Sequence, residues 1–208
     1  MPIQFNPKSI IVFASTVSPV FITFYLILEG AFNGHVKFIV YLVGLFATIL
    51  MGILLRGDKT SRDTSPESMN NYVNKCLTFD GPFNMSHSIR DGPSSHAIFH
   101  FYTIMYMLQG IVNNPNDIGW PFALLLIIIA ATDLSLRKSN RCNTMTDIIK
   151  GATLGIFGSI LYWQTINTSS FPGKEQLYFM KENTMKKCKL SKKLKFRCKK
   201  GDKEVIVG

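Results

Sequence analysis

Asp91-Gly-Pro-Ser-Ser-His-Ala-Ile-Phe-His-Phe-Tyr102 is the stretch from which the rest of the chain can be arranged. Gly92-Pro93 reads as a turn, and Ser94, Ser95 and His96 then run straight into an apolar helix. Proline is tolerated at a helix start, and a serine there can cap the first turn. The unpaired N–H groups of that turn, with the positive end of the helix dipole behind them, make a seat for an anion such as phosphate. An imidazole beside such a seat can protonate a leaving group. A capped membrane helix with one interfacial histidine would have the same sequence.

Outward from this corner, the composition separates apolar from basic. The 208 residues are 47% hydrophobic with 16 Phe, yet carry a formal charge of +10. Mean hydropathy is +0.17. A chain so apolar and so basic must segregate the two characters along its length. Residues 9–29 are nearly free of charge and long enough to cross a bilayer, and a second such run covers 36–55. The first run lacks the basic start and short apolar core of a signal peptide. Arg56–Asp91 is polar, rich in Asn, Ser and Asp, and reads as a loop outside the membrane. A third span runs from the opening motif to about Val112, and a tight turn follows at Asn113–Asp117. A fourth span covers 118–134, a basic loop Arg137–Cys142, and a fifth runs from Asp147 to about Ile166. The expected fold is all-α, a multi-pass membrane bundle of about five spans.

Three parts follow: residues 1–35 with the first span, a membrane domain 36–166 with its polar loop 56–94, and a basic tail 167–208. From Lys174 onward 12 residues are Lys or Arg, too polar a segment to fold alone. Such a tail marks the cytoplasmic side and suits anionic headgroups, so membrane lipids are the expected partners. No aromatic interleaving supports a specific nucleic-acid site. With five spans, the corner at Ser94 and the loop at 135–147 share the opposite, non-cytoplasmic face, as in the endoplasmic reticulum or another internal membrane. Cys76 and Cys142 fall there too and are candidates for a disulfide, and Asn84 heads a usable glycosylation sequon. No C-x-x-C pair or nucleotide loop is present, and neither metal nor cofactor is expected.

The second half of the face reads Leu136-Arg-Lys-Ser-Asn-Arg-Cys-Asn-Thr-Met-Thr-Asp147, then Gly151 and Gly155. Asp147, Gly151 and Gly155 lie on one helical face, where small residues admit a close neighbour. Thr146 or Asp147 can cap the fifth helix. Arg137 stands at the edge of an apolar span, where it can hold a phosphate or snorkel to water. Asp133 and Lys150, near span ends, are all that speaks for a channel or transporter.

Pro93-Ser-Ser-His-Ala-Ile-Phe resembles the second signature of the type 2 phosphatidic acid phosphatase superfamily, in its dolichyl-diphosphatase-like form. Arg137, position 143, Asp147, Gly151 and Gly155 fall at the spacings of the third signature. The resemblance covers about residues 36–166. It implies a metal-free membrane enzyme that hydrolyses phosphorylated lipids through a phosphohistidine. Carried over by position, Ser94, Ser95 and Arg137 bind phosphate, His96 is the acid, and Asp147 orients the nucleophile. The chain departs from the pattern at the nucleophile itself, which is Asn143, whose amide nitrogen has no lone pair for phosphorus. Leu136 replaces the serine before the arginine, and the first signature is not recognisable, Arg56, Lys59 and Arg62 being mis-spaced. Cys142, set among Arg137, Lys138 and Arg141, offers a thiolate as a substitute nucleophile. His100 and His87 read as structural or interfacial. Two functions follow: a lipid phosphatase with altered chemistry, or a non-catalytic protein that keeps a headgroup pocket.

Overall fold

A computed structural model describes residues 7–32, 37–56, 92–113, 119–168, 189–190, 196–200 and 203–207. Among the described residues there are five helices: α1 (Pro7–Phe32), α2 (Lys37–Leu54), α3 (Ser95–Asn113), α4 (Trp120–Ser139) and α5 (Met145–Thr168). Three are long and apolar enough to cross a membrane, over Phe13–Phe32, Lys37–Leu54 and Trp120–Ser139. Helices α3 and α5 have the length but carry more polar residues, buried in α3 at His96, His100 and Thr103 and largely exposed in α5, as at Lys150, Thr153, Gln164 and Thr165. Eleven of the nineteen residues of α3 are buried, His96 and His100 among them. It is the central helix, touching all four others and packing most extensively on α5.

Glycine sets that last contact. A Cβ on Gly151 would stand 2.6 Å from the carbonyl oxygen of Ser94, and one on Gly155 2.7 Å from that of Ile98. Both neighbours are backbone, so α5 reaches α3 only with no side chain at these two positions. Beyond this seam lies an aromatic core. Tyr106 meets Tyr41 at 5.4 Å and Trp163 at 5.1 Å between ring centroids, both edge-on. Tyr41 Oη donates to Thr103 Oγ1 at 2.6 Å, which in turn donates to the Phe99 carbonyl at 2.7 Å. The outward faces of α1, α2 and α4 expose Phe21, Phe24, Val43, Phe46, Leu124 and Ile128, as a lipid-facing surface requires.

Helix α1 contains Pro19, which has no N–H for the carbonyl of Ser15. Ser18 Oγ donates to that carbonyl instead, at 2.7 Å, and Thr23 Oγ1 donates to the Pro19 carbonyl at 2.8 Å. The helix thereby continues through the proline with its freed acceptor satisfied.

Two boundaries differ from expectation. Helix α4 continues to Ser139, so Arg137 and Lys138 belong to its last turn and not to a loop. Arg141, at φ 58°, then closes the helix. The Cys142 N–H reaches the Arg137 carbonyl at 2.9 Å and the Arg141 N–H reaches that of Lys138 at 3.1 Å, the paired bonds of a Schellman cap. The basic tail, expected from its composition to be disordered, contains a small antiparallel sheet in the order β1 (Lys189–Leu190), β2 (Phe196–Lys200), β3 (Lys203–Val207). Lys200 pairs with Lys203 in this sheet, and Val205-Ile-Val207 supplies β-branched strand residues.

Candidate functional site

The first turn of α3 is fixed from three sides. Ser94 donates its N–H to the Asp147 carbonyl at 2.9 Å, tying the start of α3 to the start of α5. Its hydroxyl lies 3.5 Å from the Ala97 N–H, the N-cap position for this helix. Arg56, two residues past the end of α2, donates from Nη2 to Ser95 Oγ at 2.6 Å. Gly92 permits this approach, since a Cβ there would stand 2.6 Å from Arg56 Cγ. An arginine too badly spaced to match a motif is therefore delivered to the serine pair by the fold.

Below this turn lies a buried polar cluster built on Asp133. Arg137 Nη2 donates to His96 Nε2 at 2.5 Å. Arginine can only donate, so Nε2 holds a lone pair and the ring proton sits on Nδ1. That Nδ1–H points at Asp133 Oδ2, 2.8 Å away. His100, one turn further along α3, donates from Nε2 to the same oxygen at 3.0 Å. Asp133 Oδ1 accepts from Ser15 Oγ of α1 at 2.8 Å and lies 3.4 Å from Arg137 Nε, four residues on along α4. Asp133 and His100 are each 1% exposed and His96 6%, so the cluster is buried. One carboxylate thus organises α1, α3 and α4.

His96, His100 and Asp133 also form the kind of group that can bind a metal ion. The hydrogen bonding argues against that use. Coordination through His96 Nδ1 would move the ring proton to Nε2, where it would face the Arg137 N–H that it now accepts. Two donors cannot share that distance, and the guanidinium would add positive charge beside the cation.

The sequence-derived candidates are distributed as follows. Ser94, Ser95, His96 and Arg137 come together at one end of α3, joined by Arg56, Asp133 and His100, which sequence reasoning set aside. Asp147 is buried close by, but its side chain does a different task from the one expected. Its Oδ2 accepts the Thr144 N–H at 3.0 Å, while Thr144 Oγ1 accepts the Asp147 N–H at 3.2 Å. This is a reciprocal capping box, so Thr144 is the N-cap of α5 and Asp147 its partner. Asn143 is half-buried, and its Oδ1 has no hydrogen-bond partner among the described residues. Cys142 is 2% exposed and disulfide-bonded, which removes the thiolate nucleophile considered for it. Cys76, its expected partner, lies outside the described residues, as do Asn84 and His87. The signal that would have found Asp133 is its position four residues before Arg137 inside an apolar run, where a carboxylate needs a buried partner.

No protein-family model, no curated protein and no solved structure matches this chain.

Proposed function

We propose that this chain is a multi-pass membrane protein, similar to the type 2 phosphatidic acid phosphatases, that binds and hydrolyses the phosphate or diphosphate group of a lipid. One observation carries the proposal: two guanidiniums, Arg56 and Arg137, meet the first turn of α3 at Ser95 and His96. Charge and hydroxyls gathered at a helix N-terminus suit a tetrahedral oxyanion. Positioning and electrostatic stabilisation of that kind supply most of the catalysis of phosphoryl transfer. The exposed apolar faces of α1, α2 and α4 suit a substrate that arrives through the bilayer. The Cys142 disulfide fits the non-cytoplasmic placement of this end, with the basic tail in the cytoplasm. An internal membrane such as the endoplasmic reticulum combines both conditions.

A second function, headgroup binding without turnover, is favoured by Asn143. The test is phosphate release by reconstituted protein from a panel of lipid phosphates and diphosphates, beside Asn143→His and His96→Ala. Turnover by the natural chain that His96→Ala abolishes is the expected result. Silence of the natural chain with activity in Asn143→His would make it a binding protein with a deleted nucleophile. Silence in all three, with no phosphate-lipid binding, would refute the site.

A further inference from the structure

We propose that the small sheet of the basic tail is an interfacial anchor, lying with one defined face on the surface of a bilayer rich in anionic lipid. The strand register carries this. Residues directly opposite one another in an antiparallel pair share a face, and successive residues along a strand alternate between faces. Phe196 pairs with Leu190 on one side and with Val207 on the other, and Cys198 pairs with Val205. These five apolar residues therefore occupy a single face. Arg197 pairs with Lys189 and Ile206, and Lys199 pairs with Glu204, so these charged residues occupy the opposite face. Lys200 and Lys203 pair with each other at one end of the apolar face. A slip of one residue in either pairing would mix the two characters.

A sheet with one apolar face needs a cover for that face. Among the described residues no helix packs closely on it. The occupant has to suit five apolar residues bordered by two lysines, on a sheet whose five basic residues face one acid, Glu204. A second copy of the sheet would cover the apolar face but bring two positive ladders together. A nucleic acid would take the basic face and leave the apolar one in water. The surface of an anionic bilayer suits both characters. The acyl boundary receives the apolar residues, and headgroup phosphates receive Lys200 and Lys203 at its border. The basic residues of the other face stay within about 8–10 Å of the negative surface, a Debye length. The bilayer is also within reach, because residues 169–188 alone separate the sheet from α5, and a chain of that length extends to at most about 70 Å. Composition pointed to a basic tail near headgroups; the register adds an ordered contact with a lipid-facing side. It needs the helices to be in a bilayer and does not depend on the phosphate site.

The test uses the full chain in nanodiscs containing doxyl-labelled lipid, made of phosphatidylcholine with phosphatidylserine or of phosphatidylcholine alone. A nitrobenzoxadiazole group is attached to one tail cysteine at a time, in chains where the other tail cysteines are serine. On the apolar face these are Cys198, Val205→Cys and Val207→Cys; on the other, Arg197→Cys, Lys199→Cys and Ile206→Cys. The chain with Cys188→Ser/Cys198→Ser supplies the background. With phosphatidylserine, lipid quenching is expected at 198, 205 and 207 and not at 197, 199 and 206. The docked-to-free ratio, read from the two fluorescence lifetimes at 198, is expected to fall roughly 30-fold in Lys200→Gln/Lys203→Gln, each lysine near the surface contributing about a factor of 5. It should fall further in phosphatidylcholine alone. Quenching on the opposite face, equal quenching on both, or quenching that is unchanged in phosphatidylcholine would each overturn the proposal. Blue-shifted emission at 198, 205 and 207 without lipid quenching would show the face covered by protein and overturn it too, as would the absence of both signals.

Discussion

Asp133→Leu removes the carboxylate on which three helices converge, and its cost can be worked out from the contacts. Three hydrogen-bond donors lose their acceptor, Ser15 Oγ, His96 Nδ1 and His100 Nε2, and Arg137 loses an ion pair at 3.4 Å. Hydrogen bonds between membrane helices average only about 0.6 kcal/mol by double-mutant cycles. The three neutral donors therefore contribute about 2 kcal/mol together. The larger effect is the loss of the buried ion pair between Asp133 and Arg137, since breaking such a pair by removing one partner costs about 3–5 kcal/mol. Relief comes from Arg137, in the last turn of α4, which can extend toward the membrane surface, so the expected loss is about 4 kcal/mol. Removing both charges in Asp133→Leu/Arg137→Met is expected to recover about 2 kcal/mol or more of this, because an ion pair replaced by apolar side chains is often neutral. SDS titration in mixed micelles, followed by far-UV circular dichroism, reads both values. A single variant within about 1 kcal/mol of the natural chain, or a double variant no better than the single, would show that Asp133 is not the hub the distances describe.

Three further perturbations use the same assay. Gly155→Val drives a side chain toward the backbone at Ile98 and Tyr102, where even a Cβ would lie 2.7 and 2.9 Å away. A loss of about 1–3 kcal/mol is expected, against less than about 0.5 for the exposed Thr153→Val. If Asp147 caps α5, Asp147→Ala costs about 1 kcal/mol and Asp147→Asn, which keeps an acceptor, less; the reverse order would exclude the capping box. Cys142→Ser should lose about 2–4 kcal/mol, and Cys142 in the natural chain should take up maleimide only after reduction. Labelling without a reductant would show a free thiol.

The helices were legible because hydrophobic length needs no partner to be recognised. Residues 36–55 and 118–134 could be little else, and α2 and α4 lie there. The glycine seam was legible from spacing, since Gly151 and Gly155 share a face whatever packs on it. The site was legible only where it is contiguous. Ser94-Ser-His96 announces itself, whereas Arg56, 39 residues before Ser95, reaches it only through the packing of α2 against α3. Asp133 was passed over because the fourth span was ended at residue 134, which left Arg137 in a loop and hid the i,i+4 spacing of the pair. What decided the matter was the extra turn of α4, which brings Asp133 and Arg137 to i and i+4. The tail escaped for the opposite reason: its charge masked the short pattern around Gly201-Asp202 from which a hairpin could have been expected.

The cluster is a poor device for stability alone. A buried aspartate, arginine and two histidines hold helices together no better than apolar side chains of the same volume, which would carry no desolvation cost. Binding a phosphate would account for Arg137 and Arg56, which can neutralise an anion without help from Asp133. Neither purpose calls for an imidazole whose tautomer is fixed by a carboxylate and whose lone pair is turned to an arginine. That arrangement has value where a nitrogen must take or give a proton. Asn143 and the disulfide at Cys142 argue against chemistry at the loop that joins α4 to α5, and the Asp133 hub argues for it on α3. Both are accommodated if the reactive nitrogen is on His96. His96→Asn then separates the roles: a purely structural histidine would show its loss in unfolding, while a reactive one would lose turnover with the fold intact.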